Sequence, residues 1–339
     1  MTVTPDDEYL HRAPDPDKGL WSDNFWFSFC DREADIFGIN HCHASLNKGY
    51  ARFSTCLVID GIPQPWANKV PLADEEKFDK LTDGNMTFEF IKPLEEIRIT
   101  FDGPKYGYDV TFKGRFPVFD YKDSINGNPL GGAVRDPGTG YYGGHFEQGL
   151  HCTGDFEVRG GPRQGVRRLD SYSHRDHSWT YRFANESPWE YPAFDRTTSL
   201  GHFWPSIQTD TMHLNAFGHM GPTFRERFPD APQIGGFLSD KNGSRAIRDA
   251  NCEVRLEDDG RTAMSFRYGF VLPDGEEIHV RTGRKYAHSV NGLMRGENDA
   301  ECRLDCYESF FDFEVEETGE SGYGCAEYSI TPPFPRWRY

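Results

Sequence analysis

The sequence predicts an all-β protein built from two antiparallel β domains in tandem, barrels or sandwiches. Three observations carry that prediction: short stretches of alternating apolar and polar residues recur along the chain, aromatic and turn-forming residues are both abundant, and helical periodicity is nearly absent. Phe, Tyr and Trp number 27, 16 and 7, against 35 Gly and 22 Pro, a mixture suited to strands joined by tight turns.

In chain order, the alternating stretches are Ile97–Phe101, Tyr106–Phe112, Met264–Leu272, Glu277–Val280 and Phe310–Val315. Residues two apart share a face of a strand, so each stretch presents one apolar and one polar side. Asp60-Gly61, Asp83-Gly84, Asn126-Gly127 and Asp274-Gly275 are the hairpin pairs between such stretches. Helical spacing is confined to Asp74–Leu81, with a turn over Pro222–Arg227. A length of 339 residues suits roughly two domains. The domain boundary should lie near one of two Gly/Pro-rich loops, Ser124–Tyr142 and Arg159–Arg168. A boundary near residue 165 gives domains 1–165 and 166–339.

Charge narrows the partners. The net charge is −17, which disfavours nucleic acid and anionic membrane, since both require clustered Lys and Arg. No apolar run approaches the ~18 residues of a spanning helix, and no signal segment is visible, so membrane insertion is not expected. The eight cysteines form no CxxC pair, and Cys302 and Cys306 on one strand would stand ~13 Å apart, too far to bridge. Reduced cysteines in a cytoplasmic protein are the expectation. A homodimer is compatible with this composition.

The densest chemistry lies in Ser171–Trp179, where nine residues carry two imidazoles, a guanidinium, a carboxylate, an indole, a phenol and three hydroxyls. Strand phase divides them. Tyr172, His174, Asp176 and Ser178 share one face; Ser171, Ser173, Arg175, His177 and Trp179 share the other. Asp176 beside His174 suits general acid–base work. Arg175 is placed to neutralise Glu147 or another carboxylate. A buried network of Arg175, Asp176 and His177 bracing the two domains is the structural alternative.

Upstream, His145–Val158 also alternates, with Phe146, Gln148, Leu150, Cys152, Phe156 and Val158 on one face. His145, Glu147, His151, Thr153, Asp155 and Glu157 lie on the other. The later polar residues suit solvent, whereas His145 and Glu147 sit where the strand leaves a Gly-rich loop. His41 and His43 extend an apolar face with Phe37 and Ile39, which suits a cavity lining. An HxH pair is also metal-compatible, but no second pair stands at ligand spacing, so neither metal nor organic cofactor is expected. His202, Trp204, Asn215 and His219 are candidate pocket walls. Gly138–Gly143 matches GxGxxG by letter but precedes a strand-like segment rather than a helix, so it reads as a turn. P-loop, GxSxG and HExxH motifs are absent.

The strand His145-Phe-Glu-Gln148…Gly154, a Gly-rich turn, then Arg175-Asp-His-Ser-Trp179 resembles the carotenoid 1,2-hydratase (hydroxyneurosporene synthase) superfamily. Trp21-Ser22…Phe27-Ser-Phe29…Asp31 is similar to that family's N-terminal entry. The likeness spans most of the chain in patches, and Arg-Asp-His-Ser-Trp is its specific part. It implies two lipocalin-like β-barrel domains around an apolar pocket, and cofactor-free chemistry begun by a buried acid. Carried over, it implies Asp176 as proton donor with Tyr172, His174 and Trp179 around it. The chain departs from the motif at Thr180, where the family carries Gly, and at His41-Cys42-His43, which marks a divergent member.

The expected function is a cofactor-independent lyase or hydratase acting on a bulky apolar small molecule: a terpenoid, a steroid or a lignin-type aromatic dimer. Asp176 or His174 is the expected acid, and His41, His43 or Glu147 the base. Tyr172, Trp179, Tyr181, His145, Trp204 and His202 are the expected substrate-binding residues. An isomerase or cyclase using the same protonation, and a non-catalytic lipocalin-like carrier, are the alternatives.

Overall fold

Alternation becomes strand along both halves of the chain. The computed structural model describes residues 3–17, 20–73, 78–129, 143–182, 199–219, 232–292 and 305–331. Among them, those within Met1–Tyr121, Gly143–Arg182 and Ser239–Ser244 form one compact unit, and those within Lys122–Tyr142, Phe183–Leu238 and Arg245–Tyr339 the other.

The first sheet contains β1 (Leu20–Asp31), β2 (Ile36–Ser45), β3 (Tyr50–Ile59), β4 (Ile62–Pro71), β5 (Lys80–Thr82), β6 (Met86–Lys92), β7 (Glu96–Asp102), β8 (Tyr106–Gly114), β9 (Phe119–Asp120), β10 (Gly144–Val158) and β11 (Gly165–Arg182). Its order is β4-β3-β2-β1-β11-β10-β8-β7-β6-β5, with β9 paired to β10. The chain thus meanders outward from β1 and returns so that its last strand, β11, lies between β1 and β10. Phe25, Phe27 and Phe29 of β1 pack with Phe88, Phe112, Leu150 and Cys152 in the core of the curl. Each such ring contributes about 1.5–3 kcal/mol when removed from water. Asp60 and Gly61, at φ 54° and 76°, make the β3–β4 turn, the conformation that Asp-Gly hairpins favour.

The second sheet contains β12 (Ser199–Thr209), β13 (Met212–His219), β14 (Ile234–Asp240), β15 (Gly243–Ala246), β16 (Asp249–Leu256), β17 (Ala263–Val271), β18 (Glu277–Gly292), β19 (Asp305–Val315) and β20 (Ser321–Thr331). Its order, β15-β14-β13-β12-β20-β19-β18-β17-β16, repeats the pattern of the first: the first strand of the sheet pairs with the last. Phe203, Leu214, Phe266, Tyr268, Phe311 and Tyr328 are among its core residues. The protein is all-β, with two tandem lipocalin-like units whose antiparallel sheets each curl into a half-barrel. No helix among the described residues is long and apolar enough to cross a membrane.

Several local expectations meet the structure directly. The five alternating stretches lie in β7, β8, β17, β18 and β19, with only Leu272 falling just past its strand. The helix expected over Asp74–Leu81 gives way at its end to β5, because Leu81 pairs with Phe88 of β6 and turns into the core. Residues 74–77, Pro222–Arg227 and Gly138–Tyr142 lie outside the described residues. Residue 165 opens β11, a strand that pairs with β1 and β10 and so completes the first unit's sheet. Seven described cysteines are free thiols; Cys302 lies outside the described residues.

Candidate active site

Three adjacent strands set one row of side chains beside another. Trp26 on β1 stands opposite Asp176 on β11, and Asp176 opposite Glu147 on β10; His41 on β2 extends the row beyond Trp26. The next row holds His43, Asn24, Ser178 and His145. Both rows lie on the sheet face turned away from the unit's apolar core, since Phe25, Phe27, Cys42 and Leu150 occupy the alternate positions. This second face is nonetheless buried. From Gly144 to Leu150 β10 is buried on both sides, whereas its expected solvent face appears only from His151 onward.

These buried polar groups meet at ion-pair distance. His145 Nε2 lies 3.0 Å from Glu147 Oε1 and 3.2 Å from Asp176 Oδ2. His174 Nε2 lies 3.0 Å from the other Glu147 oxygen, so Glu147 bridges two imidazoles. Glu147 is fully buried, while the Asp176 side chain is 13 % exposed and is the most accessible member of the group. Burial pulls the His145 imidazole towards its neutral form. Asp176 and Glu147 together outweigh that pull and hold it up at about 9. At neutral pH His145 is therefore an imidazolium, with Glu147 on one side and Asp176 on the other.

Ring contacts fix the orientation of the imidazoles. Tyr121 stacks on His145 at 4.2 Å, and Trp26 meets His174 edge-on at 5.7 Å. Ser28 Oγ accepts the His174 backbone N–H at 2.9 Å, locking β11 against β1 at that step. On β2, His43 Nδ1 lies 3.2 Å from Asn24 Oδ1.

The opposite face of β11 has a different task. Arg175 does not neutralise Glu147. Strand alternation sends it to the core side, where Nη1 contacts both Glu8 oxygens at 2.8 Å and Nε donates to Gln148 Oε1 at 3.0 Å. Glu8 also accepts the Leu94 N–H at 2.6 Å, so the pair fastens the N-terminal segment onto the sheet. His177 follows Arg175 onto this side. Its Nε2 lies 3.3 Å from Asp23, which accepts the His11 backbone N–H and touches the His11 ring at 2.7 Å. Burial pushes His177 down, against the pull of Asp23.

Trp179 also departs from the expected arrangement around Asp176. It lies on the Arg175 side, stacked on His11 with ring centroids 3.7 Å apart. Gly144 makes room for it, because a Cβ there would run into the indole. Tyr172 shares the Asp176 face and carries the Arg115 guanidinium 3.6 Å above its ring. The Tyr181 side chain lies outside the described residues. His202 and Trp204 belong to β12 in the second unit.

Sequence reasoning missed Trp26 and Tyr121 at this site, and Glu8 and Asp23 behind it. Trp26 was recoverable from phase, since it alternates with Asn24 and Ser28 within an otherwise aromatic strand. Glu8 was hidden in an acidic, Pro-rich segment without strand-like alternation. Among the described residues, three groups bring three potential donors within 4.8 Å: His11–Asp23–His177, His145–Glu147–Asp176 and His202–Cys306–Glu327.

The fold is shared with proteins of known structure. An AttH protein from Nitrosomonas europaea superposes with a TM-score of 0.61 at 13 % identity, over 97 % of this chain and 96 % of that one. Kievitone hydratase from Nectria haematococca gives 0.58 at 13 %, over 92 % and 90 %. CghA gives 0.55 at 11 %, over 94 % and 90 %. No curated protein matches this chain in sequence. These neighbours carry the two-unit fold that the carotenoid-hydratase resemblance implied. Residues 4–332 match the model of a domain of unknown function, DUF7064, and the chain therefore belongs to the DUF7064 family.

Proposed function

We propose that this protein is a cofactor-independent lyase of the hydratase type, acting by proton transfer on a bulky, uncharged, apolar small molecule. The observation that carries this reading is the buried His145 ring set 3.0 Å from Glu147 and 3.2 Å from Asp176, whose proton the two acids retain. A positioned proton donor flanked by two acids suits reversible proton transfer to an alkene or an alcohol. The fold shared with kievitone hydratase agrees with it.

In the addition direction, His145 passes its proton through Asp176 to an alkene carbon, and the π electrons form the new C–H bond. Water adds to the cation, and its surplus proton goes to the Glu147–His174 pair. In the reverse direction the hydroxyl leaves as water and a neighbouring C–H proton is lost. The same site isomerises the substrate if the cation loses a carbon-bound proton instead of gaining water. Trp26 supplies a π face beside the row, suited to stabilising positive charge. Terpenoids, steroids and lignin-type aromatic dimers are the substrate classes to screen.

The test is turnover of such compounds in D2O, followed by mass spectrometry, in the wild type and in Glu147→Gln and Asp176→Asn. Deuterium incorporation that disappears in both variants supports the reading. Tight binding with no exchange or turnover would identify a carrier instead, and undiminished turnover in folded variants would remove this row from the chemistry.

A further inference from the structure

The second unit repeats, position by position, the row that carries the candidate site of the first. In the first unit the row runs Trp26, Asp176, Glu147 across β1, β11 and β10. In the second it runs Trp204, Glu327, Glu308 across β12, β20 and β19. The strands correspond, because in each sheet the first strand pairs with the last. The next row on that face holds Asn24, Ser178 and His145 in the first unit, and His202, Ser329 and Cys306 in the second. Both faces lie opposite their unit's core, to which Phe203, Tyr307 and Tyr328 belong in the second. What changes is the chemistry of the donors. An imidazole stands where the first unit has Asn24, and a thiol where it has His145. The second unit thereby sets a nitrogen, a sulfur and a carboxylate donor on three adjacent strands.

Those donors converge. His202 Nε2 lies 3.0 Å from Glu327 Oε1 and 4.0 Å from Cys306 Sγ, and one donor atom of each residue lies within 4.8 Å of the other two. Around a tetrahedral zinc ion, with nitrogen and oxygen at about 2.0–2.1 Å and sulfur at about 2.3 Å, donors stand about 3.3–3.6 Å from one another. The two separations bracket that range. Ser329, between His202 and Cys306 in the row, holds the other side of the imidazole. Its Oγ accepts the His202 backbone N–H at 3.0 Å and meets Nδ1 at 2.7 Å. A partner on one ring nitrogen is what orients the remaining nitrogen of a histidine towards a metal. Phe217 stacks on the same ring at 5.1 Å. Of the three donor groups among the described residues, this one alone contains a sulfur and has every member buried.

We propose that the second unit binds one zinc ion through His202 Nε2, Cys306 Sγ and a Glu327 oxygen. Zinc, a borderline-soft ion, suits this mixture of nitrogen, sulfur and oxygen, whereas calcium and magnesium take oxygen donors. Charge agrees with the choice. A Cys306 thiolate and a Glu327 carboxylate together balance a doubly charged cation, so the loaded site brings no net charge into buried surroundings. Loading releases the Cys306 thiol proton to solvent and changes no oxidation state. Three protein donors leave a fourth position, which a neutral water fills without disturbing that balance. Cys306 and Glu327 lie 104 and 125 residues from His202, so no ligand spacing marks the group in the sequence. The inference concerns the second unit alone and stands whether or not the first unit's row performs hydration.

Metal binding tests it without requiring turnover. The full chain, stripped with a chelator and kept reduced, should take up one equivalent of zinc. X-ray absorption of the loaded wild type should show one sulfur at about 2.3 Å, the other donors being nitrogen and oxygen at about 2.0–2.1 Å. Cobalt(II) in place of zinc should give the d–d bands of a tetrahedral ion and a thiolate-to-cobalt charge-transfer band. Cys306→Ser should abolish the charge-transfer band. Ser329→Ala should weaken zinc binding about 10–100-fold by releasing the imidazole, and His202→Gln should weaken it by more. A folded wild type that takes up no zinc holds only a hydrogen-bonded His202–Glu327 pair, and the proposal is overturned. A zinc shell without sulfur or with more than one, charge transfer that persists in Cys306→Ser, or unchanged zinc affinity in His202→Gln overturns it too, by placing the ion elsewhere. The sulfur count is read on the wild type, so it decides the matter even where Cys306→Ser fails to fold.

Discussion

Asp176 Oδ2 lies 3.2 Å from His145 Nε2, although the two residues are not opposite one another in the β10–β11 ladder. Asp176 faces Glu147, and His145 faces Ser178, so the contact is a diagonal one along a single sheet face. Diagonal neighbours are within reach of long side chains. The geometry leaves Glu147 to take the inner contacts and Asp176 to remain the accessible end of the group.

From that relationship, Asp176→Asn should lower turnover by about 10²–10⁴-fold, the usual range for removing a positioned proton-transfer group. Because the Asp176 side chain is partly exposed and the replacement is isosteric, the fold should be kept, with the thermal midpoint lowered by the share of the His145 stabilisation that the Asp176 charge provides. Steady-state kinetics together with a melting curve measured by circular dichroism check both halves. A collapse of the folded state with no separate kinetic effect would make the residue structural.

His145 ties stability to pH with a definite sign. Its folded-state value is raised from 6.5 to about 9, so the native state holds a proton that the unfolded chain releases earlier. The contribution is fully present below about 6.5 and declines as pH rises through about 9. Its full size is about 3 kcal/mol by linkage. Urea unfolding at a series of pH values should show wild-type stability falling across that window. His145→Gln should flatten the fall, and an equally steep decline in that variant would exclude His145 as its origin.

Arg175 and Glu8 make the opposite kind of prediction. Both are buried and each is the other's charge partner. Arg175→Met leaves the Glu8 carboxylate buried without its guanidinium, at a cost of about 3–5 kcal/mol. Adding Glu8→Gln should recover most of that loss, since it removes the stranded charge. Denaturant midpoints of the single and double variants measure the coupling. Additive losses would show that the pair is not what holds the N-terminal segment.

Strand phase made much of this legible. It assigned Tyr172, His174 and Asp176 to one face of β11 and Arg175, His177 and Trp179 to the other, and the ladder agrees at every step. Phase does not tell which partner a face will meet. Arg175 found Glu8, 167 residues away in sequence, and the stacking of Trp179 on His11 has the same long-range origin. The duplicated row escaped notice because its members share positions rather than letters: His145-Phe-Glu147 corresponds to Cys306-Tyr-Glu308, and Asp176-His-Ser178 to Glu327-Tyr-Ser329. Only pairing register aligns them.

His41 offers the sharpest test of which residues are particular to this chain's chemistry. It stands opposite Trp26, which stands opposite Asp176, so the three occupy one row of the non-core face. An imidazole there can exchange protons with a substrate lying across Trp26, whereas a purely structural His41 would affect stability alone. His41→Ala should therefore reduce kcat by at least about tenfold, at the low end for a proton-transfer group. His41→Gln, which keeps hydrogen bonding but cannot titrate near neutral pH, should behave like the alanine variant. The pH–rate profile should lose one limb in both. Full kcat with an unaltered profile in His41→Ala would confine the chemistry to His145, Glu147, His174 and Asp176.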